Sequence, residues 1–184
     1  MAKVYLAGPD IFYEDALKIG KEKKAICAKN GLEAVWPLDW QGLEKTKLHP
    51  SIIYTLDVAA IRDCDAVLAN IDPFRGPSCD VGTAVEIGYA AALLKPVFGY
   101  TKERYASQCY KARWGLIQMY MDDAHFFDVE EGEQLFETGA YREVEDFGLV
   151  DNLMVVEPLR KLCFSFEEAV TEAANFLLGE TENN

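Results

Sequence analysis

Apolar positions along the 184-residue chain fall into short continuous runs that alternate with stripes at helical spacing. "KVYLAG" at 3–8 is a compact apolar run closed by Gly8-Pro9, the pattern of a buried first strand and its turn. The stretch "IFYEDALKIGKEKKAICAKNG" spaces Phe12, Ala16, Ile19, Lys23 and Ile26 as a helix does, with Gly31 as its expected C-cap. "EAVWP" predicts a second strand ended by Pro37, "PSIIYTLDVAAIRDCD" a helix, and "AVLANI" (66–71) a third strand. "SCDVGTAVEIGYAAALLKP" (78–96) then reads as a helix rich in small residues, followed by the strand "PVFGYT". "NLMVV" predicts a fifth strand, and "SFEEAVTEAANFLLG" a closing helix with Ser165 and Glu168 in capping-box spacing.

Strands that alternate with helices pair in parallel and are buried on both faces. The expected architecture is therefore a doubly wound α/β domain, a parallel sheet of about five strands with helices on both faces. One domain is expected over 1–178, with a polar tail at 179–184. Residues 102–150 mix aromatics with acid runs such as "DVEEGEQ" and predict one helix near 108–121. That segment is a solvated surface insertion, a lid or a source of extra oligomer contacts.

Ligands of such sheets sit beyond the carboxyl ends of the strands. Three features meet there: the turn after Tyr5, the loop "DPFRGPSC" after Ile71, and the N-terminus of the helix that follows it. Neither a dinucleotide nor a P-loop glycine fingerprint follows any strand, so "AGP" by itself is a lone tight turn.

Charge narrows the partners. Thirty-one Asp and Glu against 18 Lys and Arg leave a net charge of −13. Such a surface repels nucleic-acid polymers and favours a small neutral substrate. The five cysteines are scattered without a C-x-x-C pair and the chain has two histidines, which argues against a disulfide framework and a zinc site. A reducing cytoplasm is the expected location. The N-terminal apolar run is short for a signal peptide, and no stretch approaches a membrane span.

Candidate chemistry rests on three carboxylates. Glu86 lies about two turns into the small-residue helix, where Gly82, Ala84, Gly88 and Ala90 permit close approach. An ionised Glu there is either solvent-facing, salt-bridged, or employed. Asp80 is placed as the helix N-cap. In a continuous helix the six positions between the two would separate them by roughly 9 Å and turn them apart, so they converge only if Asp80 sits in the preceding non-helical turn. The positive end of the helix is expected to favour the ionised form of Glu86, fit for nucleophilic attack. Asp57 interrupts the apolar series Ile53, Leu56, Ala60, Ile61. Cys79, with no histidine nearby in sequence, reads as a spectator.

"VYLAGP", "WPLDWQ", "LDVAAIRDCDAVLANIDPFRGPSCDVGTAVEIGYAAALLKPV" and "DNLMV" resemble the nucleoside 2-deoxyribosyltransferase family. The similarity runs over about 3–101 and resumes near 147–156; the D-x-G-T-A-x-E-x-G-Y-A run is its specific part. The resemblance implies a flavodoxin-like fold and exchange of nucleobases on 2′-deoxyribose without metal or organic cofactor. It places Glu86 as the nucleophile that forms a deoxyribosyl ester with net retention, Asp80 as the group that contacts the base and moves its proton, and Tyr5 as the hydroxyl that orients Glu86. Asp57, Gln41, Gly8, Pro9 and Phe12 fall on the substrate-binding side. Asn152 corresponds to an asparagine that reaches the sugar from a neighbouring subunit, which implies a homo-oligomer. Two other readings stand beside this one: hydrolysis of 2′-deoxynucleoside 5′-monophosphates through the same ester, with Ser78, Thr83 and Arg75 near the phosphate, and a catalytically silent nucleotide-binding module.

Overall fold

The computed structural model describes residues 1–40, 48–104, 109–113 and 146–179. Its strands are β1 (Ala2–Ala7), β2 (Leu32–Val35), β3 (Ala66–Asn70), β4 (Val97–Tyr100) and β5 (Lys161–Cys163). They form one sheet in the order β2-β1-β3-β4-β5, with every neighbouring pair parallel. This is the doubly wound, flavodoxin-like order, in which β1 and β3 lie side by side at the point where the winding reverses. Tyr5 stands at the middle of this arrangement, in register with Val35 on one side and Val67 on the other.

Alternation along the strands sorts the core into two layers. Val4, Leu6, Leu68 and Phe98 face α1 (Ala16–Lys29) and α5 (Phe166–Leu178), where Cys27, Ala169, Val170 and Ala173 complete the packing. Tyr5, Ala7, Val67, Ala69 and Val97 point the other way, against Ile61 of α2 (Pro50–Asp63) and Ile87 and Ala90 of α3 (Val81–Ala92). A two-residue side-chain period buries both faces of each central strand, so these runs read as continuous apolar stretches.

Two predicted elements change. Residues 9–12 form a 3-10 turn, so the first helix starts at Ala16 rather than at the Ile11 end of its apolar stripe. The predicted fifth strand at "NLMVV" is instead the short helix α4 (Leu153–Val156). Asn152 decides that outcome: its side chain accepts from the Met154 N–H at 2.9 Å, and its carbonyl accepts from Val155 and Val156. This capping outweighs the strand preference of two valines. The true β5 is three residues long, tied to β4 by Arg160 N–H to Val97 O and Thr101 N–H to Cys163 O. Half of the predicted capping box forms: Ser165 Oγ accepts from Glu168 N–H at 3.1 Å, while Glu168 Oε2 accepts at 2.8 Å from Phe164 N–H, one residue before the N-cap. Residues 110–113 are helical; the rest of the helix predicted near 108–121, most of the 102–150 segment and the tail beyond 179 lie outside the described residues.

The carboxyl ends of β1, β3 and β4 are joined by a chain of polar contacts on the α1 side. Lys23 Nζ meets Asp10 Oδ2 and the Tyr100 hydroxyl, each at 2.7 Å, and Asn70 Nδ2 donates to the same Asp10 oxygen at 3.0 Å. Burial pulls the Lys23 ammonium down from its usual pKa, while Asp10 holds it up. Gly8 lies within this weave at φ +152, and a Cβ there would approach the Asn70 Cβ to 2.7 Å. Only glycine fits where β1 passes so close to β3.

Candidate active site

α3 has inverted polarity. Val81 and Val85 are 81% and 65% exposed, whereas the inward stripe runs Thr83, Ile87, Ala90. Glu86 falls on that stripe, three residues after Thr83 and four before Ala90. It therefore faces the sheet, and the Tyr5 hydroxyl donates to Glu86 Oε1 at 2.6 Å. Neither a solvent-facing nor a salt-bridged role describes Glu86 among the described residues.

Asp80 precedes α3 in an extended conformation, φ −59 and ψ 136. This is the non-helical turn that convergence with Glu86 required. Its Oδ2 accepts from Gly82 N–H at 3.0 Å and Thr83 N–H at 3.2 Å, which leaves Oδ1 without a hydrogen bond among the described residues. N-capping thus occupies one oxygen of Asp80 and leaves the other unbonded among the described residues.

The electrostatics correct one expectation. Burial pushes the Glu86 carboxyl up to about 8, and the charges of Asp57 and Asp80 push the same way. The Tyr5 hydrogen bond pulls it down without prevailing. Loss of water at this depth outweighs the helix end that was expected to keep Glu86 ionised. Asp57, one turn before Ile61 on the inward face of α2, is pushed up to about 6 by burial, against the Tyr5 hydroxyl, which lowers it. Its Oδ1 is buried and has no hydrogen-bond partner among the described residues. Tyr5 itself is raised far above the usual phenol range, by burial first and then by Glu86 and Asp57, so it remains a donor throughout the accessible pH range. Three acidic groups thus share one apolar layer.

The remaining candidates are placed variously. Gly8 and Pro9 form the β1 turn beside Asn70. Phe12 stacks on Phe74 at 5.5 Å between ring centroids, and the Arg75 guanidinium lies over both rings at 4.8 and 4.6 Å. Phe12 is half exposed, so the stack forms an open shelf where the β1 and β3 loops meet. Asn152 begins α4, which packs on α3, and its side-chain oxygen caps its own helix. Gln41 lies outside the described residues. Cys79 is buried, and burial followed by Asp151 pushes its thiol up to about 12, a state unsuited to nucleophilic attack at neutral pH.

Asp151 was not anticipated from the sequence. It is 1% exposed and accepts hydrogen bonds from Ser78 Oγ at 2.5 Å, Cys79 N–H at 2.7 Å and Asn152 N–H at 2.7 Å. Its signal was faint, since an Asp beside a helix-capping Asn reads as ordinary turn chemistry.

The chain has relatives in both sequence and shape. A family model described as nucleoside 2-deoxyribosyltransferase matches residues 4–154. An uncharacterised protein of Schizosaccharomyces pombe is 39% identical over 107 residues; the match covers 54% of this chain and 50% of that relative, so the chain spans about half the length of the curated relative it matches. A 2-desoxiribosyltransferase from Leishmania mexicana superposes with a TM-score of 0.68 at 24% identity, covering 96% of this chain and 99% of the other. A conserved protein from Enterococcus faecalis superposes with a TM-score of 0.62 at 19% identity, over 96% and 99%. At these identities the two structures speak for the fold. Among the described residues no helix is long and apolar enough to cross a membrane. The run of residues matched by the family model covers most of the sequence, and the chain belongs to the nucleoside 2-deoxyribosyltransferase family.

Proposed function

We propose that the protein moves 2-deoxyribosyl groups between nucleobases through an ester on Glu86. The observation that carries this reading is the Tyr5 hydroxyl bound to Glu86 Oε1 at 2.6 Å on the inward face of α3. A Glu turned away from solvent and held in one orientation by a phenol is arranged for attack in one direction.

In the first step a Glu86 oxygen bonds to C1′ of the deoxynucleoside. The C1′–N bond breaks, its electron pair leaves with the base, and the departing nitrogen takes, by way of Asp80, the proton that Glu86 gives up on ionising. In the second step a nitrogen lone pair of the incoming base attacks C1′, the ester bond breaks, and the Glu86 carboxylate is restored. The proton displaced from the incoming base returns to Asp80. Two displacements at one carbon give net retention. Carboxylates near C1′ stabilise the oxocarbenium character of both transition states. Asp57 Oδ1, without a hydrogen-bond partner among the described residues, is an acceptor for a hydroxyl or N–H of the substrate. The shelf of Phe12 and Phe74 offers flat apolar area to a base. With the Glu86 carboxyl near 8, roughly a tenth of the ligand-free protein carries the reactive carboxylate at pH 7.

Incubation with deoxyinosine and adenine tests the reading. Deoxyadenosine and hypoxanthine are expected, and protein quenched during turnover should carry a deoxyribosyl adduct on the peptide containing Glu86. Release of free deoxyribose and hypoxanthine alone marks a hydrolase, in which water discharges the ester. Ligand binding with no turnover marks a silent module. Undiminished exchange by Glu86→Ala refutes the mechanism.

A further inference from the structure

The loop that delivers Asp80 to the active site is held by a buried acid outside it. Asp151 uses both carboxylate oxygens: Oδ1 accepts from Ser78 Oγ and Asn152 N–H, and Oδ2 accepts from Cys79 N–H. Cys79 is the residue immediately before Asp80. Arg113 repeats the connection one residue away on each side, donating Nε–H to Pro77 O at 2.7 Å and a second N–H to Val150 O. Two segments more than seventy residues apart are therefore fastened by consecutive residues, 77–79 against 150–152. One end of the fastening continues into Asp80, the other into Asn152.

Burial makes this fastening rigid. A carboxylate that is 1% exposed cannot readily exchange its donors for water, so loss of the Cys79 N–H bond leaves a buried Oδ2 unpaired. Asp80 spends Oδ2 on the first turn of α3, and the direction of Oδ1 follows from the backbone that Cys79 N–H anchors. Displacement of a proton donor by about an ångström is enough to cost on the order of a hundredfold in rate.

We propose that Asp151 is a positioning residue for proton transfer by Asp80, an inference that rests on the role given to Asp80 above. Asp151 touches no reacting atom. It fixes residues 78–79, and through them the reach of Asp80 to the leaving base.

The chemistry supplies a readout that a purely structural role does not move. A basic leaving group depends on protonation more than an acidic one does, so faulty proton delivery penalises basic leaving groups selectively. The test measures kcat/KM for a series of 2′-deoxynucleosides whose bases differ in basicity, using the wild type, Asp151→Asn, Ser78→Ala and Asp80→Asn. Asn at 151 keeps the size but presents an N–H₂ group where Oδ2 meets Cys79 N–H. The loss from Asp151→Asn is expected to be at least about tenfold larger for the most basic leaving group than for the least basic, since general acid catalysis contributes factors of about 100 to 10,000. Ser78→Ala, which removes one of the three bonds, is expected to show the same trend at smaller amplitude. Thermal melts establish which variants fold; if Asp151→Asn does not, the trend in Ser78→Ala decides. A uniform loss across the series, or none, overturns the proposal. Asp80→Asn separates the two claims. Leaving-group selectivity there without selectivity at 151 or 78 rejects this inference alone, and its absence at Asp80 rejects the role of Asp80 and the inference with it.

Discussion

Glu86→Gln should stabilise the protein, and by more as pH rises. Gln is close to Glu in size and its carbonyl can still accept from the Tyr5 hydroxyl, so the substitution removes the charge with little change of packing. In the wild type the folded carboxyl titrates near about 8 against 4.5 for the free side chain. A raised folded-state pKa means that the fold favours the protonated acid. Its stabilising share is complete below pH 4.5 and is lost as pH climbs through about 8. One proton contributes a slope of about 1.4 kcal/mol per pH unit inside that window, and allowing for curvature near the upper end, roughly 2 kcal/mol disappears between pH 6 and pH 8. Asp57, near about 6, has lost most of its share by the start of this interval and is present in both proteins. Gln has no such titration, so the stability difference between variant and wild type should widen by about 2 kcal/mol from pH 6 to pH 8, or about 4–8 °C in Tm for a chain of this size. Urea denaturation at the two pH values and constant ionic strength measures it. If the difference is the same at pH 6 and pH 8, Glu86 is not the desolvated acid described here.

Three further outcomes follow from the same geometry. Tyr5→Phe removes the hydrogen bond that favours the ionised form, so the alkaline rise of kcat/KM should move to higher pH and the rate at pH 7 should fall. Asp57→Asn removes a negative charge that pushes Glu86 up, so the same limb should move to lower pH; a shift in one direction for both variants contradicts the assigned contacts. If Asn152 serves a neighbouring subunit's site, mixing inactive Glu86→Ala and Asn152→Ala proteins under exchange conditions should restore roughly a quarter of the sites in a dimer. Activity no greater than that of the two variants kept apart places Asn152 in its own subunit's site.

The central fold was legible because its strands are apolar runs long enough to be recognised and its helices carry stripes and caps. β3 lies within a residue of its expected ends, and α3 is three to four residues shorter at each end than the 78–96 stretch, because Asp80 caps it and Leu93 closes it. The C-terminal third was harder to read. β5 has only three residues, too few for any period to register, whereas "NLMVV" offers an apolar β-branched run that a single Asn side chain turns into a helix. The inward orientation of Glu86 was derivable from its position three after Thr83 and four before Ala90, although the outward-facing Val81 and Val85 argue against it on hydrophobicity alone. Its protonation was not derivable. The helix end is visible in sequence, but the depth of burial and the company of Asp57 and Asp80 exist only once the chain has folded. Asp151 was hidden for a similar reason, since its partners Ser78 and Cys79 lie over seventy residues upstream.

The two faces of the sheet treat buried acids in opposite ways, and the contrast bears on function. On the α1 side Asp10 is matched by the Lys23 ammonium and the Asn70 amide, a paired arrangement that locks the β1 turn. On the α3 side Glu86 and Asp57 have no cation partner among the described residues, and the hydrogen bond that Glu86 accepts comes from a phenol. A lysine in place of Tyr5 would answer the charge of Glu86, at the cost of burying a second charge. It would also hold the carboxylate in an ion pair and reduce its readiness to attack a carbon that is itself becoming positive. A neutral donor fixes direction without neutralising charge. The unpaired acids are thus a local loss of stability in the layer where proposed chemistry occurs, and the ion pair on the opposite layer holds the backbone turn that this layer shares.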